Sequence, residues 1–301
     1  MPVATLTELL QNGVHFGHQT SRWNPKMRHY IFASKGGIHI IDVSQTVDLL
    51  DQACLFAHDT VAQGGQILFV GTKKQAQDTI QEQCARSNQP FVVNRWMGGM
   101  LTNFEVVKRQ LKRMAELVEM RDKGVLATLS KKEQRRRTDE LDRLERNFGG
   151  ITTMKRLPAA VFVVDPHKER LAVTEARKLE IPIIAITDTN CDPEEISQVI
   201  PGNDDAIRSV RLIVTRLVDA VMQGLEEHHQ IELVQAEKAE VERQAQAVEA
   251  KIAAAKAELE AERVAAAAAE AEAARTSAAE ASEAEAPSAE EAPVPVEVAS
   301  E

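Results

Sequence analysis

The sequence is poor in the residues on which most reaction centres and extracellular folds depend. Aromatic residues make up 4% of the 301 positions, and the three cysteines, Cys54, Cys84 and Cys191, have no C-x-x-C spacing. An odd number of scattered cysteines argues against a disulfide framework or a zinc knuckle. No apolar run is long enough to span a bilayer, and no secretory signal is apparent at the N-terminus. We therefore expect a soluble, cytoplasmic protein.

The sequence also lacks an arrangement that would carry catalysis. No Ser-His-Asp or Cys-His pattern is visible, so we expect neither an enzyme nor a cofactor. Gly71-Thr72-Lys73-Lys74 lies between a strand and a helix, which leaves a nucleotide-dependent enzyme as an alternative, although the spacing is not that of a P-loop. A cation site is a further alternative, although turns and helix caps are the commoner role of such aspartates. Its ligands would be His18, Asp165, Asp188, Asp192, Asp204 and Asp205.

Charge is divided unevenly along the chain. Residues 1–225 carry 30 Lys and Arg against 27 Asp and Glu, a balance of +3, whereas residues 226–301 carry 6 against 19, a balance of −13. Within residues 95–156 the basic residues number 16 and the acidic ones 9. The net charge of −10 thus hides a basic region that suits a polyanionic partner.

Apolar runs alternate with helical patterns in two parts of the chain. Continuously apolar strands are predicted at 67–72, 159–166 and 183–188, and such runs are typical of parallel strands buried on both faces. Helices are predicted at 44–62, 73–84, 168–179 and 206–224, and a short one at 7–12. This order predicts an α/β fold with helices on both faces of a parallel sheet, formed by residues 1–103 and 151–225.

Residues 104–150 interrupt this alternation. Apolar residues recur every three or four positions along two charged segments joined near Gly124, which predicts an inserted α-helical hairpin with coiled-coil packing. Capping boxes are predicted at Thr102–Glu105 and Ser130–Glu133. After residue 225, a weak heptad at Ile231, Val234, Val241, Val248, Ile252 and Leu259 predicts a helix over 226–264. The Ala- and Glu-rich residues 265–301 are expected to be disordered, and their charge to keep them away from RNA.

Two loops mix aromatic and basic residues in the way that nucleic-acid surfaces do. Residues 15–30 place Trp23 and Tyr30 among Arg22, Lys26 and Arg28, and residues 91–104 place Arg95 beside Trp96 and a Gly-Gly pair. Rings stack on bases and cations meet phosphates in such surfaces. The alternative for both loops is structural, namely aromatic side chains that cover the core.

The hairpin carries a dense run of cations at the start of its second helix. Guanidinium groups bind phosphate in a bidentate manner, although a solvated charged face is an equally simple explanation. The complete set of predicted rRNA-binding residues is Arg22, Trp23, Lys26, Arg28, Lys73, Lys74, Arg95, Trp96, Lys108, Arg109, Lys131, Lys132, Arg135, Arg136 and Arg137.

Several motifs in this order resemble the bacterial ribosomal protein S2 family over about residues 1–227. They include His15-Phe16-Gly17-His18, Trp23-Asn24-Pro25-Lys26-Met27, Asn94 to Asn103, and Ile200-Pro201-Gly202-Asn203-Asp204-Asp205. The tail departs from the short family pattern and looks like an extension.

The resemblance implies a three-layer α/β/α fold with a central parallel, Rossmann- or flavodoxin-like sheet and an inserted coiled-coil hairpin. It also implies a structural protein of the small ribosomal subunit, placed between head and body. There it would contact small-subunit rRNA and neighbouring ribosomal proteins and help to dock the large mRNA-binding ribosomal protein. A self-associating coiled-coil scaffold is the remaining alternative.

Overall fold

The computed structural model describes residues 3–283, with side chains throughout that range except at 127, 250, 252–255, 257–258 and 271–283. The chain divides into two units, Met1–Glu232 and Leu233–Glu301. The first unit contains every strand found in the described residues, and the second consists, as far as it is described, of helix.

A small antiparallel sheet lies near the N-terminus, apart from the main sheet. Its strands are β1 (Phe16–Gln19), β2 (Ile31–Lys35) and β3 (Ile38–Ile41), in the order β1-β3-β2. Helix α1 (Leu6–Gln11) precedes it, and 3₁₀ helices at Thr20–Arg22 and Pro25–Tyr30 separate β1 from β2. The loop prediction for 15–30 missed β1, because four residues that include a glycine give too short a pattern to detect.

The main sheet has five parallel strands, which confirms the predicted fold class. They are β4 (Ile67–Val70), β5 (Phe91–Val92), β6 (Ala160–Val164), β7 (Ile183–Thr187) and β8 (Gln198–Pro201), in the order β5-β4-β6-β7-β8. Strands β4, β6 and β7 are completely buried. Strand β8 is not among the strands predicted from the sequence, because Pro201 and the following Gly202 are residues typical of a turn.

Helices cover both faces of this sheet. Phe69, Phe162 and Ile186 point into one core with the first helices and the start of the last, whereas Leu68, Val163 and Ala185 point into the other. The first face is covered by α1, α2 (Val43–Ala62), α3 (Lys74–Ser87) and the beginning of α8 (Ile207–Glu283). The second is covered by α4 (Phe104–Asp122), α6 (Lys131–Phe148) and α7 (Arg170–Lys178).

The inserted hairpin has the predicted form, with a short helix α5 (Val125–Thr128) at its turn. Gly124 begins that turn at φ +70°, a conformation that glycine adopts without steric cost. Ser130 caps α6 by accepting the backbone N–H of Glu133. The capping box predicted at Thr102–Glu105 is wrong, because Asn103 is the cap residue and forms no side-chain cap bond.

The last helix is longer than the sequence analysis predicted. Helix α8 continues to Glu283, so residues 265–283 are helical where disorder was expected. Alanine and glutamate are both strong helix formers, which favours a helix even without apolar contacts. The heptad residues Val234, Val241, Val248 and Leu259 are all exposed. The Ile252 side chain and residues 284–301 lie outside the described part, so what the sequence predicts for them stays a prediction.

Candidate nucleic-acid interface

Lys73 lies among carboxylates at the carboxyl ends of the strands of the main sheet. It follows β4, and Asp165 follows the adjacent β6, where the strand order changes direction. The Lys73 ammonium is 3.0 Å from Asp165, 2.8 Å from Asp204 and 2.7 Å from Asp205. Burial lowers the pKa of this ammonium, but the aspartates outweigh burial and raise it. This charge is already neutralised within the protein, so Lys73 is poorly placed for the rRNA contact predicted from the sequence, which stays a prediction.

His18 extends the same cluster on its other side. Its Nδ1 is 2.9 Å from Asp188 and its Nε2 is 3.4 Å from Asp205, and the contact with Asp188 raises the pKa of the imidazole. Ligand atoms of His18, Asp188 and Asp204 lie within 4.8 Å of one another. Imidazole and carboxylate are donors that suit zinc and harder cations, so the predicted grouping of these side chains is present.

Asp204 is the most deeply buried member of the cluster, and its Oδ2 has no hydrogen-bond partner among the described residues. Burial, together with the nearby charges of Asp165 and Asp188, raises the pKa of this carboxyl to about 7. Lys73 opposes that shift. Asp204 is therefore the member of the cluster for which we expect proton exchange near neutral pH.

The alternative nucleotide site at Gly71–Lys74 is filled by the protein itself. Thr72 donates its backbone N–H to Glu169, 3.2 Å away, and its hydroxyl contacts the same oxygen. Burial raises the pKa of the Glu169 carboxyl. Because an internal carboxylate already takes the Thr72 donors, this turn is poorly suited to a phosphate.

Glu175 organises the loop between β5 and α4 that carries Arg95 and Trp96. Its carboxylate accepts the Trp96 Nε1–H at 3.1 Å and the backbone N–H groups of Gly99, Leu101 and Thr102 at 2.7–3.2 Å. Burial raises the pKa of this carboxyl, but these bonds outweigh it and lower the pKa. The loop has the donor pattern of an anion-binding turn, and Glu175 is the anion.

This arrangement separates the two residues that were predicted to act together. The Trp96 side chain is buried and belongs to the core beneath α4, a position that does not favour its predicted stacking on a base. Arg95 is exposed and forms no ion pair within the described residues, so its guanidinium is available to a phosphate. The structure therefore places the tryptophan in the core and the arginine on the surface.

The predicted rRNA-binding residues of the N-terminal segment also differ in their exposure and in their partners. Trp23 is half-buried and packs on His39, with ring centroids 5.2 Å apart. Lys26 lies 2.8 Å from Asp192 and 2.5 Å from Glu194, and these carboxylates raise the pKa of its ammonium to about 12. Arg22 and Arg28 are exposed, and neither has an acidic partner in the part of the chain that the structure describes. These two arginines are the better-placed phosphate ligands.

Some cations of the hairpin form ion pairs with its own glutamates. Arg113 on α4 donates from Nε to Glu140 on α6 at 3.0 Å, and Arg121 is 3.2 Å from Glu145. Lys108 pairs with Glu105 at 2.9 Å, and Arg137 lies 3.8–3.9 Å from Glu133 and Glu140. The Arg113 and Arg121 pairs join the two helices. The pairs of Lys108 and Arg137 lie within one helix each and reduce the charge that these two residues offer to a partner.

The remaining predicted cations of the hairpin are exposed. None of them has an ion-pair partner among the side chains that the structure describes. Four of them lie in the first two turns of α6, and Arg109 lies on α4. We name this set the basic stripe, and its members are Arg109, Lys131, Lys132, Arg135 and Arg136. Lys74, next to the half-buried Lys73, is exposed in the same way.

Residues 9–224 match the model of the family described as ribosomal protein S2. The chain belongs to this family. It is therefore a structural protein of the small ribosomal subunit, a kind of protein that associates with the ribosome, its RNA and its other proteins. The family is of a structural and not an enzymatic kind. The resemblance stated from the sequence is confirmed, and residues 225–301 lie outside the match.

Two residues that organise this interface were missed in the sequence. Glu175 and Arg113 occur in ordinary charged helices, and only their distant partners, 76 and 27 residues away in the contacts above, distinguish them.

Within residues 3–283, none of the helices combines the length and apolar character that crossing a membrane requires.

Proposed function

We propose that this chain binds small-subunit rRNA through two separate surfaces. One is the basic stripe on the hairpin, and the other is the N-terminal segment with Arg22 and Arg28, with Arg95 adding a further contact. The observation that carries the proposal is that these cations are exposed and unpaired among the described side chains, whereas Lys26, Lys73 and Lys108 each have a carboxylate partner. The α/β core holds the surfaces in fixed positions, and phosphate contacts of this kind read shape rather than sequence.

The family resemblance extends the proposal to position and partners. The protein would lie between the head and the body of the small subunit, contact neighbouring ribosomal proteins there, and help to dock the large mRNA-binding ribosomal protein during translation. We expect it in the cytoplasm, on ribosomes. The acidic helix after residue 232 would stay away from the RNA, because like charges repel.

The test compares two variants with equal change in charge. In the first, Lys131, Lys132, Arg135 and Arg136 are all replaced by glutamine. In the second, four exposed cations that already have carboxylate partners are replaced in the same way: Arg86, Lys123, Arg177 and Arg211. Binding to small subunits depleted of this protein is measured at several salt concentrations.

The first variant should bind more weakly, and the slope of log affinity against log salt should fall by about 3, since each lost phosphate contact contributes about 0.7–0.9. The control variant should keep nearly the slope of the unaltered protein. Equal losses in both variants would mean that net charge, and not the basic stripe, governs binding. Unchanged binding of the first variant would overturn the proposal for the hairpin.

A further inference from the structure

The second unit of the chain carries an apolar stripe on an otherwise polar helix. Val234, Val241 and Val248 recur every seven residues of α8, and Leu259 continues the same line. Their exposed fractions are 48%, 65%, 55% and 60%, and every side chain described between 233 and 270 is exposed. A repeat of seven along one helix is the pattern of a coiled-coil seam. Because helices in proteins gain most of their stability by packing an apolar face, this stripe suits a partner helix.

Two charged residues interrupt the seam. In the heptad that has Val234, Val241 and Val248 at position d, Lys238 falls at position a and Glu262 at position d. Neither forms an ion pair with another side chain that the structure describes. A charge in a seam is costly unless it meets an opposite charge, so it restricts the partner and its register. The partner helix needs an acidic residue opposite Lys238 and a basic one opposite Glu262.

This helix meets the requirement itself when two copies run antiparallel. Position a of one helix then faces position d of the other. With Lys238 opposite Glu262 of a second copy, Val241 faces Leu259 of that copy. A shift by one heptad in either direction would place both charges opposite alanine or isoleucine. The sequence of the seam therefore favours one antiparallel register.

The parallel arrangement is disfavoured by charge. In a parallel pair in register, Lys238 would face its own copy and so would Glu262, which places like charges in the seam. The flank of the seam also favours the antiparallel pair. There Glu242, at position e, comes between the positions of Lys256 and Arg263 of the second copy. Charge complementarity thus points to a second copy of the same helix as the partner.

We propose that residues 234–266 form an antiparallel coiled coil with the same segment of a second copy of this chain. Two-fold symmetry places the pair of Lys238 and Glu262 in the seam twice. The inference goes beyond the proposed function and does not rest on it, because the cations proposed to bind rRNA all precede residue 137.

The first experiment is sedimentation equilibrium of the full-length protein without ribosomes, which measures the dissociation constant of the dimer. The variants Lys238→Glu and Glu262→Lys each reverse one charge of the seam, and a third variant carries both changes. Arg243→Glu and Glu260→Lys are the matched controls. They make the same changes of charge at exposed residues that fall at positions f and b, away from the seam.

The unaltered protein should form dimers that dissociate on dilution. Each single reversal in the seam should raise the dissociation constant by about 100-fold or more, because two like-charge pairs then replace two opposite-charge pairs and each contributes about a factor of ten. The double variant should regain the original affinity. A mixture of the two single variants should form mixed dimers, since opposite charges again face each other. The controls should change the constant by less than about fivefold, because exposed charges contribute little.

The second experiment tests direction by disulfide formation. Val241→Cys mixed with Leu259→Cys should crosslink under mild oxidation, because these two positions face each other. Val241→Cys alone should not, since 18 residues separate position 241 from the position that faces it, or about 27 Å at a rise of about 1.5 Å per residue. The three cysteines of the chain are buried and should not compete.

Three results would overturn the proposal. A protein that stays monomeric at the highest attainable concentration would exclude self-pairing and leave a helix of another protein as the partner of the stripe. Dimers that survive Lys238→Glu and Glu262→Lys would contradict the register, and a Val241→Cys protein that crosslinks to itself would contradict the direction. Lys238→Glu should bind depleted small subunits as the unaltered protein does, so that failure of the coiled coil and failure of the rRNA contacts are distinguishable.

Discussion

Two basic regions of this chain look alike in sequence and differ in the folded protein. At the edge of the main sheet, Lys73 is surrounded by Asp165, Asp204 and Asp205 within 3.0 Å. At the start of α6, the cations of the basic stripe are exposed, and no carboxylate pairs with them among the described residues. The comparison shows that a count of lysines and arginines measures the charge of a segment and not the charge that it presents to RNA.

The largest loss of stability is expected from a substitution at Lys73. Replacing Lys73 with methionine leaves buried carboxylates without their counter-charge, and removing one partner of a buried pair costs about 3–5 kcal/mol. The free energy of unfolding, measured with urea, should fall by that amount. Lys74→Met is the matched control, because Lys74 is the next residue and is exposed, and it should change stability by less than about 0.5 kcal/mol. Equal effects of the two substitutions would contradict the internal role of Lys73.

A smaller loss is expected at the loop between β5 and α4. Glu175→Ala removes the acceptor for Trp96 Nε1–H and three backbone N–H groups, and such a loss costs about 2–3 kcal/mol in the free energy of unfolding. Glu105→Ala removes an exposed glutamate paired with Lys108 and should cost less than about 1 kcal/mol. A Glu175→Ala protein as stable as the Glu105→Ala control would show that the loop holds its shape without this carboxylate.

The acidic cluster should also make the free energy of unfolding depend on pH. The measurement is made with a chelator present, so that no cation occupies the cluster. The folded protein keeps a proton on Asp204 up to about pH 7, whereas an unperturbed aspartate loses it near pH 3.8. The folded state therefore binds more protons between these values, and stability falls as the pH rises through 7. His18, whose pKa is also raised, contributes in the same direction.

Between pH 6 and pH 8 the expected decrease from Asp204 is about 1 kcal/mol. Unfolding midpoints in urea across this range measure it, and Asp204→Asn should flatten the dependence because it cannot titrate. A stability that rises with pH in the unaltered protein would contradict the assignment of the proton to this cluster.

Some features of the fold were predictable because they depend on neighbours in sequence. The apolar runs of β4, β6 and β7 have no polar face, so only a sheet covered on both sides accommodates them. Leu141, Leu144 and Phe148 recur at helical spacing and are buried as expected. By contrast, β1 and β8 are four residues each and are interrupted by glycine or end at proline, so pairing with other strands decides them.

The site was less predictable, because its charges are paired over long distances. Lys26 meets Asp192, 166 residues away, and Lys73 meets Asp204, 131 residues away. Loop closure on this scale leaves no periodic signal in the sequence. Trp96 and Arg95 are adjacent, yet one is buried and the other exposed, because Glu175 from another helix sets the course of the loop.

The amino-acid sequence by itself determined the class of fold, the inserted hairpin and the family, since these follow from apolar periodicity and from motifs read along the chain. Only the tertiary structure decided which cations remain for RNA. A cation is neutralised where the packing of the main sheet or of the hairpin brings a carboxylate within about 4 Å of its ammonium or guanidinium group. Beyond that distance an ion pair contributes little.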